Sequence, residues 1–393
     1  MKILQVIPYF PPARTFGGPP KVAYDFSLQL AKKGHEVIVF TSDALSLTAR
    51  MKIKKAKLMN GIEVYYFRNL SMKFVQHSKL FLTPGMIPEM KRKVKEVDIV
   101  HLHEYRTFQN IVASYYVSKF KIPYIIQAHG SIPRIGRTKR KIIFDYFFGY
   151  KILKNSAKAL ALTETEIEEY RIMGVPSEKI EILPNGIDLS EYRELPEKNE
   201  FKEKFNIPNN AKIVLYLGRI HKSKRVDLLV RAFSFLVKKI NKNTNIVLVI
   251  AGPDDGDMAR IKRIIYELNI ARKIIITGYL NKNDKIKALV DADVLVIPAF
   301  KGFPLTLLEA CATGTPIVVT TLGDYLSWID NNVGYQVKPK VRDLAEAIYR
   351  IINDNEIHRL FSNKCIELVQ KQFSINVVVS KLERIYDNIL KEF

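Results

Sequence analysis

The run "DVLVIPAFKGFPLTLLEACATGTPIVVT", residues 293–320, decides how the rest of the chain is read. "DVLVIPA" is apolar on both faces over the length of a strand, "LTLLEACATG" is a helix stopped by a glycine, and "PIVVT" is a second β-branched run. A strand buried on both sides and joined through a helix to another is the unit of a parallel sheet covered on both faces.

Working outward, the alternation appears twice. The first series opens with strand "KILQVIPYF", glycine turn "GGPP", helix "PKVAYDFSLQLAKKG" and strand "HEVIVFT". Strands "DIVHLHE", "PYIIQAHG" and "ALALTETE" follow, with helices such as "TFQNIVASYYVSKF" between them. Near 190–205 the chain turns polar ("YRELPEKNE"), and a new first strand at 213–217 starts a similar series that ends with 293–320. A length of 393 residues also exceeds one ordinary domain. The expected fold class is α/β, with two doubly wound Rossmann-like domains facing across a cleft at their C-terminal strand ends. The expected domains are 1–197 (acceptor side), 198–370 (donor side) and a final amphipathic helix, 371–393, returning to the first domain.

Hydrophobic content of 47% supplies two cores, and the net charge is +22. Residues 1–150 hold 25 Lys/Arg against 9 Asp/Glu, concentrated in "RMKIKKAK" (50–57), "KRKVK" (91–95) and "RIGRTKRK" (134–141). Such a surface suits anionic lipid head groups or an anionic substrate, or is a general solubilising excess. Neither zinc-finger spacing nor an RNP-like strand is present, so no nucleic-acid partner is expected. "MKILQVIPYFPP" reads as a first strand and not as a signal peptide, and no window of 18 uncharged apolar residues occurs. The expected location is cytoplasmic, peripheral at the inner membrane face where the basic surface holds lipid. Cys311 and Cys365 form no disulfide framework and read as small buried hydrophobes.

Several residues stand where strands give way to turns. In "GRIHKSKRVDLL", Arg219 offers a planar fork and Lys224 a point charge for phosphate oxygens, unless the loop is simply solvated. Glu309 lies near the start of its helix, where a carboxylate accepts from a ribose diol or merely stabilises the helix end. His129 ends a strand as an exposed imidazole able to bond a hydroxyl, or serves structure alone. Gly17 and Gly18 let backbone approach a phosphate or sugar, or simply bend the chain. Asp254, Asp255 and Asp257 in "AGPDDGD" suggest a metal, but turn chemistry accounts for them and no histidine or cysteine joins them. No metal is expected.

In order and spacing these pieces resemble the retaining glycosyltransferases of the two-Rossmann (GT-B) fold, family 4. The likeness runs from "GGPPKVAYDFSLQLAKKGHEVIVFTS" through "EILPNGIDLSEY" and "GRIHKSKRVDLLVRAF" to "VGYQVKP" with "DLAEAI". It implies that Arg219 and Lys224 meet the donor diphosphate, Glu309 the donor ribose, and His129 the transferred sugar. It also implies that Gly17 and Gly18 lie against the donor phosphate and that Gly302, Phe303, Pro304, Leu305, Thr306 and Leu307 line sugar and diphosphate. The family usually carries a second glutamate at the position of Lys301, toward the transferred sugar, so Lys301 is expected to alter sugar choice or how the sugar ring is held.

The implied function is transfer of a sugar, with retention, from a UDP- or GDP-sugar to a hydroxyl acceptor, for instance a lipid-linked or polysaccharide precursor. A diphosphate leaves without a general acid, so fixed positive charge can carry much of the catalysis, without cofactor or metal. Two alternatives share the architecture. A UDP-sugar epimerase would change the nucleotide sugar without an acceptor, and a non-catalytic nucleotide-sugar binder would never turn it over.

Overall fold

The computed structural model describes the chain except residues 14–15, 53–55, 135, 137, 242–243 and 323. Parts of the first and third basic runs therefore lie outside the described residues. The chain forms two compact units, Met1–Gly186 with Ile375–Phe393, and Ile187–Ser374. The boundaries expected from the sequence lie at 197/198 and 370/371.

Eight strands build the sheet of the first unit: β1 Lys2–Val6, β2 Glu36–Ser42, β3 Ala56–Met59, β4 Ile62–Phe67, β5 Ile99–His103, β6 Tyr124–Gln127, β7 Lys158–Ala161 and β8 Ile180–Ile182. Their order is β3-β4-β2-β1-β5-β6-β7-β8. All pairs are parallel except β3 with β4. Leu4, Val6, Phe40, Val100, Leu102 and Ile126 fill one core, as their unbroken apolar runs require. The β3–β4 hairpin is absent from the sequence reading above, although "KLMNGIEVYYF" holds its signal. Asn60 and Gly61 both take positive φ (50° and 82°), the turn that matches the twist of two antiparallel strands. The amphipathic helix Ile375–Glu392 belongs to this unit and packs on helix Pro19–Lys32. There Glu383 accepts from Lys33 Nζ (2.5 Å) and pairs with His35 Nε2 (2.8 Å).

Six parallel strands build the second sheet: β9 Lys212–Leu217, β10 Ile246–Ala251, β11 Ile274–Gly278, β12 Val294–Ile297, β13 Ile317–Thr320 and β14 Gly334–Val337, in order β11-β10-β9-β12-β13-β14. Val214, Leu248, Val294 and Val296 meet Leu229 and Phe233 of helix Val226–Lys239 and Ile348 and Ile351 of helix Val341–Asn353. Cys311 and Cys365 are both buried and free, and burial pushes the Cys365 thiol well up. Two Rossmann-like units with a C-terminal helix on the first agree with the expected fold class.

Candidate functional site

In each sheet the strand order reverses beside its first strand, between β1 and β5 and between β9 and β12. Loops leaving the C-terminal ends of such a pair diverge and open a crevice for ligand.

In the second unit the loop after β9 is zipped to the loop after β10. Gly218 N–H donates to Ala251 O (3.0 Å), Ile220 N–H to Pro253 O (2.9 Å), and Asp255 N–H to Ile220 O (3.0 Å). A Cβ on Gly252 would lie 1.9 Å from Gly218 O, so only glycine permits this approach. The zipper brings Asp255 to Arg219, whose Nη1 donates at 2.7 Å. Burial, and then the Arg219 guanidinium, hold the Lys224 ammonium below the usual lysine range. Two cations kept this close favour an anion that can serve both. The acids of "DDGD" (254–257) have separate duties. Asp254 accepts from the backbone of Gly256, Asp257 and Met258, Asp255 holds Arg219, and Asp257 pairs with Arg260.

After β12 the chain exposes Lys301 and then turns inward. Gly302, at φ 68°, donates its N–H to Asp324, a carboxyl raised by burial but drawn down by that bond and by the Lys301 charge. The Phe303 ring packs against Trp328 and Phe373, with centroids 5.5 and 5.3 Å away, and so anchors the loop. Pro304 precedes helix Leu305–Ala312, which has no side-chain cap, and Leu305, Thr306 and Leu307 form its first turn. Glu309 is not in that first turn, so it is no end-stabilising acid. It sits one turn further on, 6% exposed, where it accepts a short hydrogen bond from Lys285 of helix Lys282–Asp291.

Gly17, Gly18 and His129 belong to the first unit. Gly17 takes φ 87° and Gly18 starts helix Pro19–Lys32, whose N-terminus also lacks a side-chain cap. His129 is not the exposed imidazole expected. It is half-buried, in the left-handed region at φ 52°, and stacked on His103 with centroids 5.2 Å apart. Gln5 Oε1 can only accept, so His103 Nε2–H donates to it (2.6 Å) and His129 Nε2–H donates to His103 Nδ1 (2.9 Å). That order leaves His129 Nδ1 as the acceptor. His101 also stacks on His103 (centroids 4.1 Å apart), and its Nδ1 meets Tyr386 OH at 2.8 Å. Burial holds His101 and His103 well below the usual imidazole range and His129 at about 3, so all three are neutral near pH 7.

Three residues escaped the sequence reading. Lys285 and Asp324 reach the site from other elements, 24 and 22 residues from their partners. Glu104, which follows β5 at φ 64°, accepts from Tyr9 OH (2.6 Å), and burial pushes its carboxyl up to about 7. "HLHE" was the available signal: a carboxylate one residue beyond a strand that also carries His101 and His103.

Comparison with known proteins bears on what this geometry serves. A family model described as "Glycosyltransferase Family 4" matches residues 16–191, and one described as "Glycosyl transferases group 1" matches 197–367. The chain is 28% identical to an uncharacterized glycosyltransferase of Methanocaldococcus jannaschii, covering 100% of this chain and 96% of the relative. It is 24% identical to the N-acetyl-alpha-D-glucosaminyl L-malate synthase of Bacillus anthracis, covering 96% and 95%. A crystal structure of Anabaena HepE in complex with UDP and glucose superposes with a TM-score of 0.76 at 14% identity, covering 99% of this chain and 100% of that one.

Proposed function

Since the chain belongs to the glycosyltransferases of the two-Rossmann (GT-B) fold, we propose that it moves a sugar, with retention, from a UDP- or GDP-sugar to an acceptor hydroxyl. The observation that carries this reading is the cation pair Arg219 and Lys224 at the β9–β12 reversal, with the buried Glu309 on the helix after β12. A diphosphate gains charge as its bond to the anomeric carbon breaks. Two fixed cations, the partly buried Lys224 and the exposed Arg219 held by Asp255, stabilise that charge where it develops. Glu309, with one oxygen held by Lys285, offers the other to a ribose hydroxyl. The acceptor oxygen forms its bond on the face the leaving group departs from, and its proton passes to a diphosphate oxygen. No protein nucleophile and no metal enter this scheme.

His129 Nδ1 accepts from a hydroxyl of the transferred sugar, and Gly17 and Gly18 admit the donor phosphate. Gly302, Phe303, Pro304, Leu305, Thr306 and Leu307 line the diphosphate and sugar, and Lys301 selects among sugars. Anabaena HepE with UDP and glucose supports a uridine donor by analogy of fold. The reading extends to a cytoplasmic enzyme acting on a lipid-linked or polysaccharide precursor.

Purified protein incubated with UDP-glucose, UDP-galactose, UDP-N-acetylglucosamine or GDP-mannose and mixed acceptors, with chelator present, tests it by mass spectrometry. Free nucleoside diphosphate with a sugar-shifted acceptor is the expected result. Isomerised donor without an acceptor would make the enzyme an epimerase, and tight donor binding without turnover would make it a binder. Activity restored only by a divalent cation would remove the metal-free scheme.

A further inference from the structure

Residues 138–154 form one helical stretch, Thr138–Phe144, a wider turn Asp145–Gly149, and Tyr150–Lys154. Its inner face is firmly held. Asp145, fully buried, accepts from Arg106 Nε (2.8 Å) and Nη2 (2.8 Å) and from Arg134 Nε (2.8 Å). A Cβ on Gly149 would lie 2.2 Å from Tyr105 OH, so the helix sits directly on that ring, and Ile152 and Leu153 enter the core.

The outer face is opposite to what solvent demands. Tyr146 is 76% exposed, Phe147 64% and Ile143 58%, and Ile142, Phe148 and Tyr150 are also open. Tyr115 of the neighbouring helix Phe108–Phe120 adds another ring at 60%. Between the two helices lies a cavity of about 560 Å³ lined by Ile111, Tyr115, Phe147 and Phe148 with Lys119 and Lys151. Tyr150 helps seat the helix, its OH accepting from Arg134 Nη2 (2.7 Å), but Asp145, Gly149, Ile152 and Leu153 hold it without Tyr146 or Phe147. A contiguous apolar face of this kind marks an interaction surface.

Charge decides what covers it. From residue 105 to 163 the sequence holds eleven Lys/Arg and one acid, the buried Asp145. Lys139, Arg140, Lys151 and Lys154 flank the exposed rings. A second copy of this chain would bring a like-charged patch against it, which disfavours self-association. Tyrosine and phenylalanine beside lysine and arginine are the composition of a membrane-interface element.

The geometry points to residues 138–154, with Tyr115 and Lys119, as a docking face for an anionic lipid bilayer. The rings enter the head-group boundary while the flanking bases meet lipid phosphates, and the element lies on the bilayer without crossing it. This assignment does not depend on which sugar or acceptor the enzyme uses.

Flotation of the full chain with vesicles tests it apart from any activity. Binding is expected to vesicles of equimolar phosphatidylcholine and phosphatidylglycerol at low salt, and not to phosphatidylcholine alone. Each of Lys139→Gln and Lys151→Gln should weaken it about fivefold. The double variant Tyr146→Ser/Phe147→Ser should lower it at least about tenfold with its melting temperature kept. No association at low salt overturns the assignment. So does binding indifferent to Tyr146→Ser/Phe147→Ser, which would leave a diffuse charge effect. A concentration-dependent dimer abolished by that double variant would give the face to a second copy instead.

Discussion

In the first unit β1 and β5 carry Gln5, His101 and His103, joined by His129 in a network of neutral, stacked and mutually bonded groups. In the second, the loops after β9 and β12 carry Arg219, Lys224 and Lys301 as cations. Both sets occupy the reversal of a parallel sheet. The order of strands therefore determines where a ligand is received, while a few loop residues determine whether charge or neutral hydrogen bonding meets it.

The comparison breaks most readily in acid. Imidazoles whose folded pKa lies below the unfolded value bind fewer protons than the unfolded chain, so their stability is present above about 6.5 and is lost as pH falls toward about 3. At pH 5 His129 withdraws about 2 kcal/mol, and His101 and His103 act in the same direction. The first unit should then lose structure before the second. Trp328, the chain's one tryptophan, lies in the second unit, so far-UV circular dichroism should fall at a higher pH than its fluorescence changes. Coincident transitions would show that the network gives the first unit no special acid weakness. Glu104 works in the opposite sense. Its raised pKa contributes stability below about 4.5 that disappears as pH rises through about 7, and Glu104→Gln should flatten that part of a urea-stability profile.

The cationic side is tested by Lys224→Ala, which should lower kcat/KM for the nucleotide sugar about 100-fold, or roughly 3 kcal/mol of transition-state stabilisation. A loss below about threefold would mean that Arg219 alone meets the charge. Smaller in scale, Gly252→Ala must push the Gly218 carbonyl away and should cost about 2 kcal/mol, read as a lowered melting temperature. Saturating donor should recover part of it if the loop binds there. Least of all, Lys301→Glu should leave folding unchanged and shift the ratio of kcat/KM between donors epimeric at one hydroxyl by about tenfold, the worth of one charged hydrogen bond. An unchanged ratio would separate Lys301 from sugar choice.

Much of the fold was legible because a strand buried on both faces must be apolar throughout, and such runs as "IVLVIA" and "KIVLYL" are local facts. Arg219, Lys224 and Glu309 were legible as residues at strand ends. Their partners were not. Asp255 meets Arg219 only because Gly252 allows two loops to touch, and Lys285 meets Glu309 only through the packing of two helices. The exposure assumed for His129 failed for the same reason, since His103 and Gln5 lie on other strands. Contacts between elements depend on register and packing, which residue type does not encode.

The bonds from Tyr386 to Gln5 and His101 also impose an order in time. Gln5 precedes Tyr386 by 381 residues, with the entire second unit synthesised between them. On the ribosome the second unit, continuous in sequence, can close while the first still lacks its last helix. The unit whose strands emerge before the other's is thus the one that can be completed only after it.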